Sequence, residues 1–290
     1  MNRSGSSTPG AGRAVLVTGS SSGIGLAVAR GLRARGYRVF ASARRAADVD
    51  RLRGEGLESC RLDLDDDASI TAAVAEVLDK TDGRLYALFN NGAYGQTGAV
   101  EDLTRSVLRA QLETNLLGWH ELSRQILPVM LARGEGRIVQ NSSVLGLVGL
   151  PYRGAYVCSK FALEGLTDTL RLELRGTGVE VSLIEPGPIA SRFRENALAM
   201  FRRTVDVANS RHRAAYEAQL ARLGKPGPAA PFTLPPEAVL RKVVRALESR
   251  RPRARYYVTF PTYLFGGLKR VLSTRALDRL LGATSGGGKR

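Results

Sequence analysis

Between residues 14 and 184, short apolar runs alternate one for one with stretches of helical periodicity, and this alternation limits the possible folds more than any other feature. The runs cover 14–17, 39–41, 60–62, 85–89, 137–140 and 179–184, and the helical stretches cover 23–35, 49–54, 68–78, 105–132 and 156–174. Strands joined by helices run parallel, and a parallel sheet has to be covered on both faces. The predicted fold is therefore α/β, a doubly wound, mostly parallel sheet, with its ligand site at the carboxyl ends of the strands. After Pro186 the pattern changes to an Arg-rich helical stretch over 192–222, then Gly/Pro breaks at 224–228 and 231–236. Pro236 is suited to opening a helix that runs to about 250, and 256–258 reads as a last strand. We expect a flexible leader over 1–12 and a core over 13–191. Residues 192–290 are expected to supply a lid, the last strand and an amphipathic helix of the same domain.

With 290 residues, 43% of them hydrophobic, the chain has material for one large domain. No apolar stretch is long enough to span a bilayer, and the polar first twelve residues lack the apolar centre of a signal peptide. Two cysteines, Cys60 and Cys158, and two histidines, His120 and His212, show no metal-ligand spacing. These features predict a cytoplasmic protein without a structural metal. The net charge is +16, and residues 192–290 carry 21 basic against 6 acidic side chains. Arg-rich coding bias is one reading. A basic surface for an acidic lipid, substrate or partner is the other. No nucleic-acid recognition motif is present, and no nucleic acid is expected as a partner.

The first strand runs into Thr18-Gly19-Ser20-Ser21-Ser22-Gly23-Ile24-Gly25, which opens a helix. Glycines there let backbone approach a pyrophosphate, and the helix start offers N–H donors. The Gly-x-x-x-Gly-x-Gly spacing resembles the short-chain dehydrogenase/reductase family, whose fold is of the Rossmann type. Ser21 and Ile24 belong to the same turn. After the second strand the sequence reads Ala41-Ser42-Ala43-Arg44-Arg45, with no acid before Asp48. An arginine there suits a 2′-phosphate, so Arg44, helped by Ser22, predicts NADP (NADPH) over NAD. Asp63 is placed to accept from the adenine amino group or, alternatively, to cap a helix. Asn90-Asn91-Gly92-Ala93 resembles the family's Asn-Asn-Ala-Gly with the last two residues exchanged, and puts Asn90 and Gly92 beside the adenosine ribose.

Tyr156 and Lys160 lie four apart and so share a helix face. A phenol titrates near about 10 and needs a neighbouring cation to act at neutral pH. Lys160 offers that cation and can also hold the nicotinamide ribose. Ser143, at the end of the fifth strand, can hold the substrate oxygen. The resemblance implies that Asn115 orders a proton-relay water. It also implies that Pro186, Gly187, Ile189 and Ser191 wrap the nicotinamide. The resemblance spans about 13–191. Ser159–Leu166 and Ser182–Glu185 look most like the branch of 17β-hydroxysteroid dehydrogenase type 1 and the retinol dehydrogenases, as does Arg255-Tyr256-Tyr257 more weakly.

These residues predict hydride transfer between a nicotinamide and a lipophilic ketone, aldehyde or alcohol, with Tyr156 as general acid/base. The alternative is a catalytically silent NADP-binding sensor or scaffold. Pocket candidates are Tyr94, Leu147, Val148, Leu150, Tyr152, Phe193, Met200 and Phe201. The lid arginines Arg192, Arg194, Arg202, Arg203, Arg211 and Arg213 are alternatives for an anionic group. Residues 264–281 read as one basic amphipathic helix, either packed on the protein or lying peripherally on the inner membrane surface. The family implies a homodimer or homotetramer.

Overall fold

A computed structural model of the chain describes residues 10–224, 227 and 230–284. Its strands are β1 (Ala14–Val17), β2 (Arg38–Ala43), β3 (Glu58–Arg61), β4 (Leu85–Asn90), β5 (Gly136–Asn141), β6 (Val179–Glu185) and β7 (Arg255–Tyr257). They form one sheet in the order β3-β2-β1-β4-β5-β6-β7, with every neighbouring pair parallel. The register pairs Phe40 with Glu58 at the β3 edge and Leu183 with Arg255 at the β7 edge. Period-two alternation divides the core: Val15 and Val17 face one helix layer, Ala14 and Leu16 the other. This is a Rossmann-type doubly wound sheet, and the strand order reverses between β1 and β4.

The helices are α1 (Gly23–Ala34), α2 (Ala46–Gly54), α3 (Asp67–Lys80), α4 (Arg105–Leu112), α5 (Gly118–Arg133) and α6 (Gly154–Glu173). They continue with α7 (Phe193–Thr204), α8 (Arg213–Gly224), α9 (Glu237–Glu248), α10 (Phe260–Val271) and α11 (Thr274–Thr284). One layer holds α1 and α9, pressed so close that a Cβ on Gly31 would sit 2.2 Å from Leu240. The other layer packs Ile70, Trp119, Ile126 and Leu163 of α3, α5 and α6 beneath the sheet.

Several boundaries differ from the sequence expectation, and the Arg-rich helical stretch expected over 192–222 is two helices, α7 and α8, separated by residues 205–212. The helix expected over 105–132 is broken by a π turn at Glu113–Leu117, which turns Asn115 fully inward. Gly118 follows because a Cβ there would lie 2.1 Å from the Leu64 carbonyl oxygen. The single helix expected over 264–281 is two, α10 and α11. Ser273 stops the first and caps the second, its hydroxyl accepting from Ala276 N at 3.4 Å. Pro236 stands just outside α9 rather than in its first turn. The leader expectation falls partly outside the described residues. Its described end is pinned, with Gly10 buried against the Tyr37 ring and Gly12 N donating to Gly36 O at 3.3 Å. Most of the tail expected to fray likewise lies outside the described residues. No helix among the described residues is long and apolar enough to cross a membrane.

Candidate active site

A cavity of about 1120 Å³ opens at the carboxyl ends of β1, β4, β5 and β6, where the strand order reverses. Gly19, Ser21, Ser22, Gly23 and Ile24 line one side of it. Asn141–Val144, Tyr156, Lys160 and the segment after β6 line the rest.

The glycines of the turn are fixed by close approach. Gly19 has φ +65°, and a Cβ on it would stand 2.6 Å from Gly92 Cα. A Cβ on Gly25 would meet the Gly19 carbonyl oxygen at 2.2 Å. Gly25 therefore packs behind the turn and does not line the cavity. Ser22 is the N-cap of α1, and its hydroxyl makes no capping bond. The first-turn N–H groups of α1 therefore receive no capping bond from Ser22. Ser21 is tied down through its carbonyl, which accepts from Arg51 Nη2 at 2.7 Å.

At the end of β4, strand alternation separates the two asparagines. Asn90 is fully buried and donates to Ser123 Oγ at 3.1 Å, away from the cavity, which corrects its expected place. The neighbour that lines the cavity is Asn91. It donates to Thr18 O at 2.9 Å and accepts from Asn141 Nδ2 at 2.9 Å, joining the glycine turn to β5. The Thr18 hydroxyl accepts from Asn91 N at 2.8 Å and Gly92 N at 2.9 Å. The exchanged Gly92-Ala93 order therefore leaves a tightly bonded turn, with Gly92 against Gly19.

Arg44, after β2, is exposed, and its guanidinium has no hydrogen-bond or ion-pair partner among the described residues. The adjacent Arg45 is held by Asp48 at 2.8 Å. Arg44 lies outside the cavity lining, at the end of the strand next to β1. Asp63 does not cap α3: Asp66 does, accepting from Ala68 N at 3.0 Å. Asp63 is half-buried and accepts from Asp65 N at 3.3 Å.

The opposite wall is built on β5 and α6. Tyr156 and Lys160 are one turn apart on α6, 9% and 1% exposed. Burial pushes the Tyr156 phenol up to about 12, and a hydrogen bond with the Ser143 side chain draws it back part of the way. The Ser143 hydroxyl also accepts from Leu145 N at 3.1 Å, which fixes its position at the end of β5. Burial depresses the Lys160 ammonium to about 7, opposed by the Glu164 carboxylate one turn further on. The ammonium donates to Asn141 O at 2.9 Å and lies 4.1 Å from the centre of the Trp119 indole. Trp119 in turn donates to Gly92 O at 2.8 Å.

Asn115 does not line the cavity. Its side chain donates to Tyr94 O at 2.9 Å and Ser159 Oγ at 3.3 Å, and accepts from Tyr94 N at 3.2 Å. It locks the π turn against α6.

Pro186, Gly187, Ile189 and Ser191 all line the cavity. Pro186 O accepts from Val144 N at 2.8 Å, and Ala190 N donates to Leu234 O at 2.9 Å. Gly187 packs on the threonine pair before and within α10, where a Cβ would stand 2.2 Å from Thr259 Oγ1.

Behind this wall lies a partly buried ionic cluster that the sequence reading did not find. Arg255 Nη2 lies 3.1 Å from Glu164 and 2.7 Å from Asp168, and its Nε lies 3.1 Å from Glu185. Glu185 is fully buried, and neither of its oxygens accepts a well-aligned hydrogen bond. Burial, reinforced by Glu164, pushes it up to about 9.

Of the pocket candidates, Leu150 and Phe193 line the cavity, with the Phe193 ring edge-on to Tyr156 at 5.3 Å. The others stand back from it. Phe201 and Tyr152 build a separate small core with Tyr216, Ala99 and Val205, which seats α7 and α8 on the protein. Met200, Tyr94, Leu147 and Val148 also lie outside the lining, and Val144, Leu145, Leu198 and Leu234 take their places. Among the lid arginines, Arg192 and Arg194 reach the cavity, whereas Arg211 pairs with Glu101 and Arg213 with Glu217.

The sequence profile described as short chain dehydrogenase matches residues 13–200. The chain is 43% identical over 269 residues to the uncharacterized oxidoreductase YbbO of Escherichia coli (strain K12), covering 93% of this chain and 94% of that protein. It is 34% identical over 263 residues to 17-beta-hydroxysteroid dehydrogenase type 1 of Homo sapiens, covering 84% of this chain and 77% of that one. A crystal structure of a short chain dehydrogenase/reductase from Burkholderia phymatum in complex with NAD superposes with a TM-score of 0.75 at 27% identity, over 97% of this chain and 98% of that one.

Proposed function

This chain belongs to the short-chain dehydrogenase family, and on that basis we propose that it is an NADP-dependent oxidoreductase interconverting a lipophilic ketone or aldehyde and its alcohol. One observation carries the reading: the Tyr156 phenol, the Ser143 hydroxyl and the Lys160 ammonium share one wall of a cavity whose other side is a glycine turn at a helix start.

The residues present fit a dinucleotide. Gly19 and Gly23, both at positive φ, let the turn pack against Gly92 and Ser191 and line the cavity with backbone, and Ser22 and the first turn of α1 offer donors to a pyrophosphate. Arg44, with no carboxylate on it, would hold a 2′-phosphate. Lys160 would hold the nicotinamide ribose, and Ile189 and Ser191 the carboxamide. When bound, such a cofactor supplies or accepts the hydride. The chain does the rest. Ser143 holds the substrate oxygen beside the phenol. Tyr156, protonated well above neutrality, gives its proton to that oxygen as the carbonyl is reduced and takes it back in oxidation. Val144, Leu145, Leu150 and Phe193 exclude water and favour an apolar substrate.

Consumption of NADPH and of NADH would be followed against retinal, a steroid ketone and long-chain aldehydes, with Tyr156→Phe and Arg44→Gln alongside. Turnover with NADPH should fall by roughly 10²–10⁴-fold in Tyr156→Phe, the range of a lost general acid. Arg44→Gln should raise KM for NADPH and leave kcat and the NADH reaction near their starting values. Tight NADPH binding without turnover on any of these carbonyls would overturn the reading in favour of a sensor.

A further inference from the structure

A second cavity, about 400 Å³, lies at the β7 edge of the sheet between α9 and α10, away from the glycine turn. Lys242, Arg245, Arg251, Arg253 and Arg270 surround it together with Tyr263, and no carboxylate lines it. None of these five cations makes an ion pair among the described residues. Elsewhere on the molecule many arginines are matched, among them Arg30 by Glu55, Arg38 by Glu58 and Arg124 by Glu121, whereas here five unmatched cations converge on one depression. The acid at the end of α9, Glu248, is already clamped by Arg35 through bonds of 2.8 and 2.7 Å. A sixth cation, Arg255, is turned inward to Glu164, Asp168 and Glu185. Five like charges around one depression repel one another, and an anion placed among them relieves that repulsion.

The same helix adds an apolar ridge. Phe260, Leu264 and Val271 of α10 are 56%, 40% and 77% exposed. Their spacing puts them on one stripe, and Tyr263 and Arg270 lie beside it on the cavity side. Phe232, 60% exposed, extends the ridge with its ring 5.0 Å from that of Phe260.

We propose that this cavity and the α10 ridge dock the protein on an anionic phospholipid membrane. The phosphodiester headgroup seats among Lys242, Arg245, Arg253 and Arg270, and Phe260, Leu264 and Val271 enter the interfacial layer. A free anion has no use for the ridge. A second copy of the chain would bring five cations against five. Anionic lipid satisfies both halves of the surface. The inference is independent of the chemistry proposed for the first cavity.

Full-length protein would be co-sedimented with vesicles of phosphatidylglycerol mixed into phosphatidylcholine, and with phosphatidylcholine alone. The site variant is Arg245→Gln/Arg253→Gln/Arg270→Gln. A control, Arg109→Gln/Arg133→Gln/Arg175→Gln, removes equal charge from exposed, unpaired positions elsewhere. Thermal melting establishes that both variants fold. Wild type and control should bind the anionic vesicles alike, and the site variant should bind roughly a hundredfold more weakly. Phe260→Ser/Leu264→Ser should leave residual binding that salt abolishes. Equal losses in the two triple variants would reduce the effect to net charge and overturn the site. So would equal binding to phosphatidylcholine alone, or no binding by wild type. Saturable binding of glycerol phosphate, lost in the site variant and accompanied by no vesicle association, would assign the cavity to a soluble phosphorylated ligand instead.

Discussion

Lys160 is held at the floor of the site by the Asn141 carbonyl and the Trp119 ring, and burial brings its ammonium from 10.5 down to about 7. The proposed chemistry uses the charged form, which is present below that value. Reduction should therefore slow as pH rises through about 7, seen as an alkaline limb in kcat against pH. The same shift acts on stability with the opposite sign. Between about 7 and 10.5 the unfolded chain holds a proton that the folded chain has released, so this group's contribution to stability increases with pH over that window. Lys160→Met should accordingly raise the melting temperature at pH below 7 while abolishing turnover, a case of stability traded against activity. At this scale the Tyr156–Lys160 pair was legible, because i,i+4 spacing on a helix is a local rule. Trp119 and Asn91 were not. Their partners, Lys160, Thr18 and Asn141, are distant in sequence and meet only across the sheet.

At the scale of elements, α6, β6 and β7 are joined by charge inside the molecule. Glu164, Glu185 and Arg255 come from three separate segments and form one cluster behind the catalytic wall. Glu185 has a folded value near 9 against 4.5 unfolded, so the folded chain keeps a proton between those values that the unfolded chain gives up. Stability from this group is full below about 4.5 and is lost as pH rises toward 9. Glu185→Gln should remove that slope, and denaturant melts should show the variant gaining on wild type as pH is raised from 5 to 9. Arg255→Met in the same melts should lose about 3–5 kcal/mol, because it strands Glu164 without its cation. Element type followed from periodicity, since each strand and its helix carry their own pattern. The breaks in the long helices did not, because the π turn at Glu113–Leu117 answers to Tyr94 and Ser159 on other elements.

Over the whole molecule the surplus positive charge of residues 192–290 is divided among different tasks. Arg211 and Arg213 find acids, half-buried Arg255 pairs with three, Arg192 and Arg194 border the large cavity, and the cations around α9 and α10 stay unmatched. The start of α10 is also tied to the active site, since Thr259 and Thr262 back Gly187. A chain ended at residue 258 should lose NADPH binding as well as membrane contact, which fluorescence titration of NADPH will show. The sequence alone determined the alternation of strand and helix, the glycine turn and the order of Ser143, Tyr156 and Lys160, because each rests on short-range spacing and backbone sterics. Tertiary structure alone decided which of two adjacent asparagines faces the cavity, which apolar residues line it and which seat the lid. It also decided which arginines keep a free charge. Those outcomes depend on which surfaces meet when distant segments pack, and no local pattern encodes that.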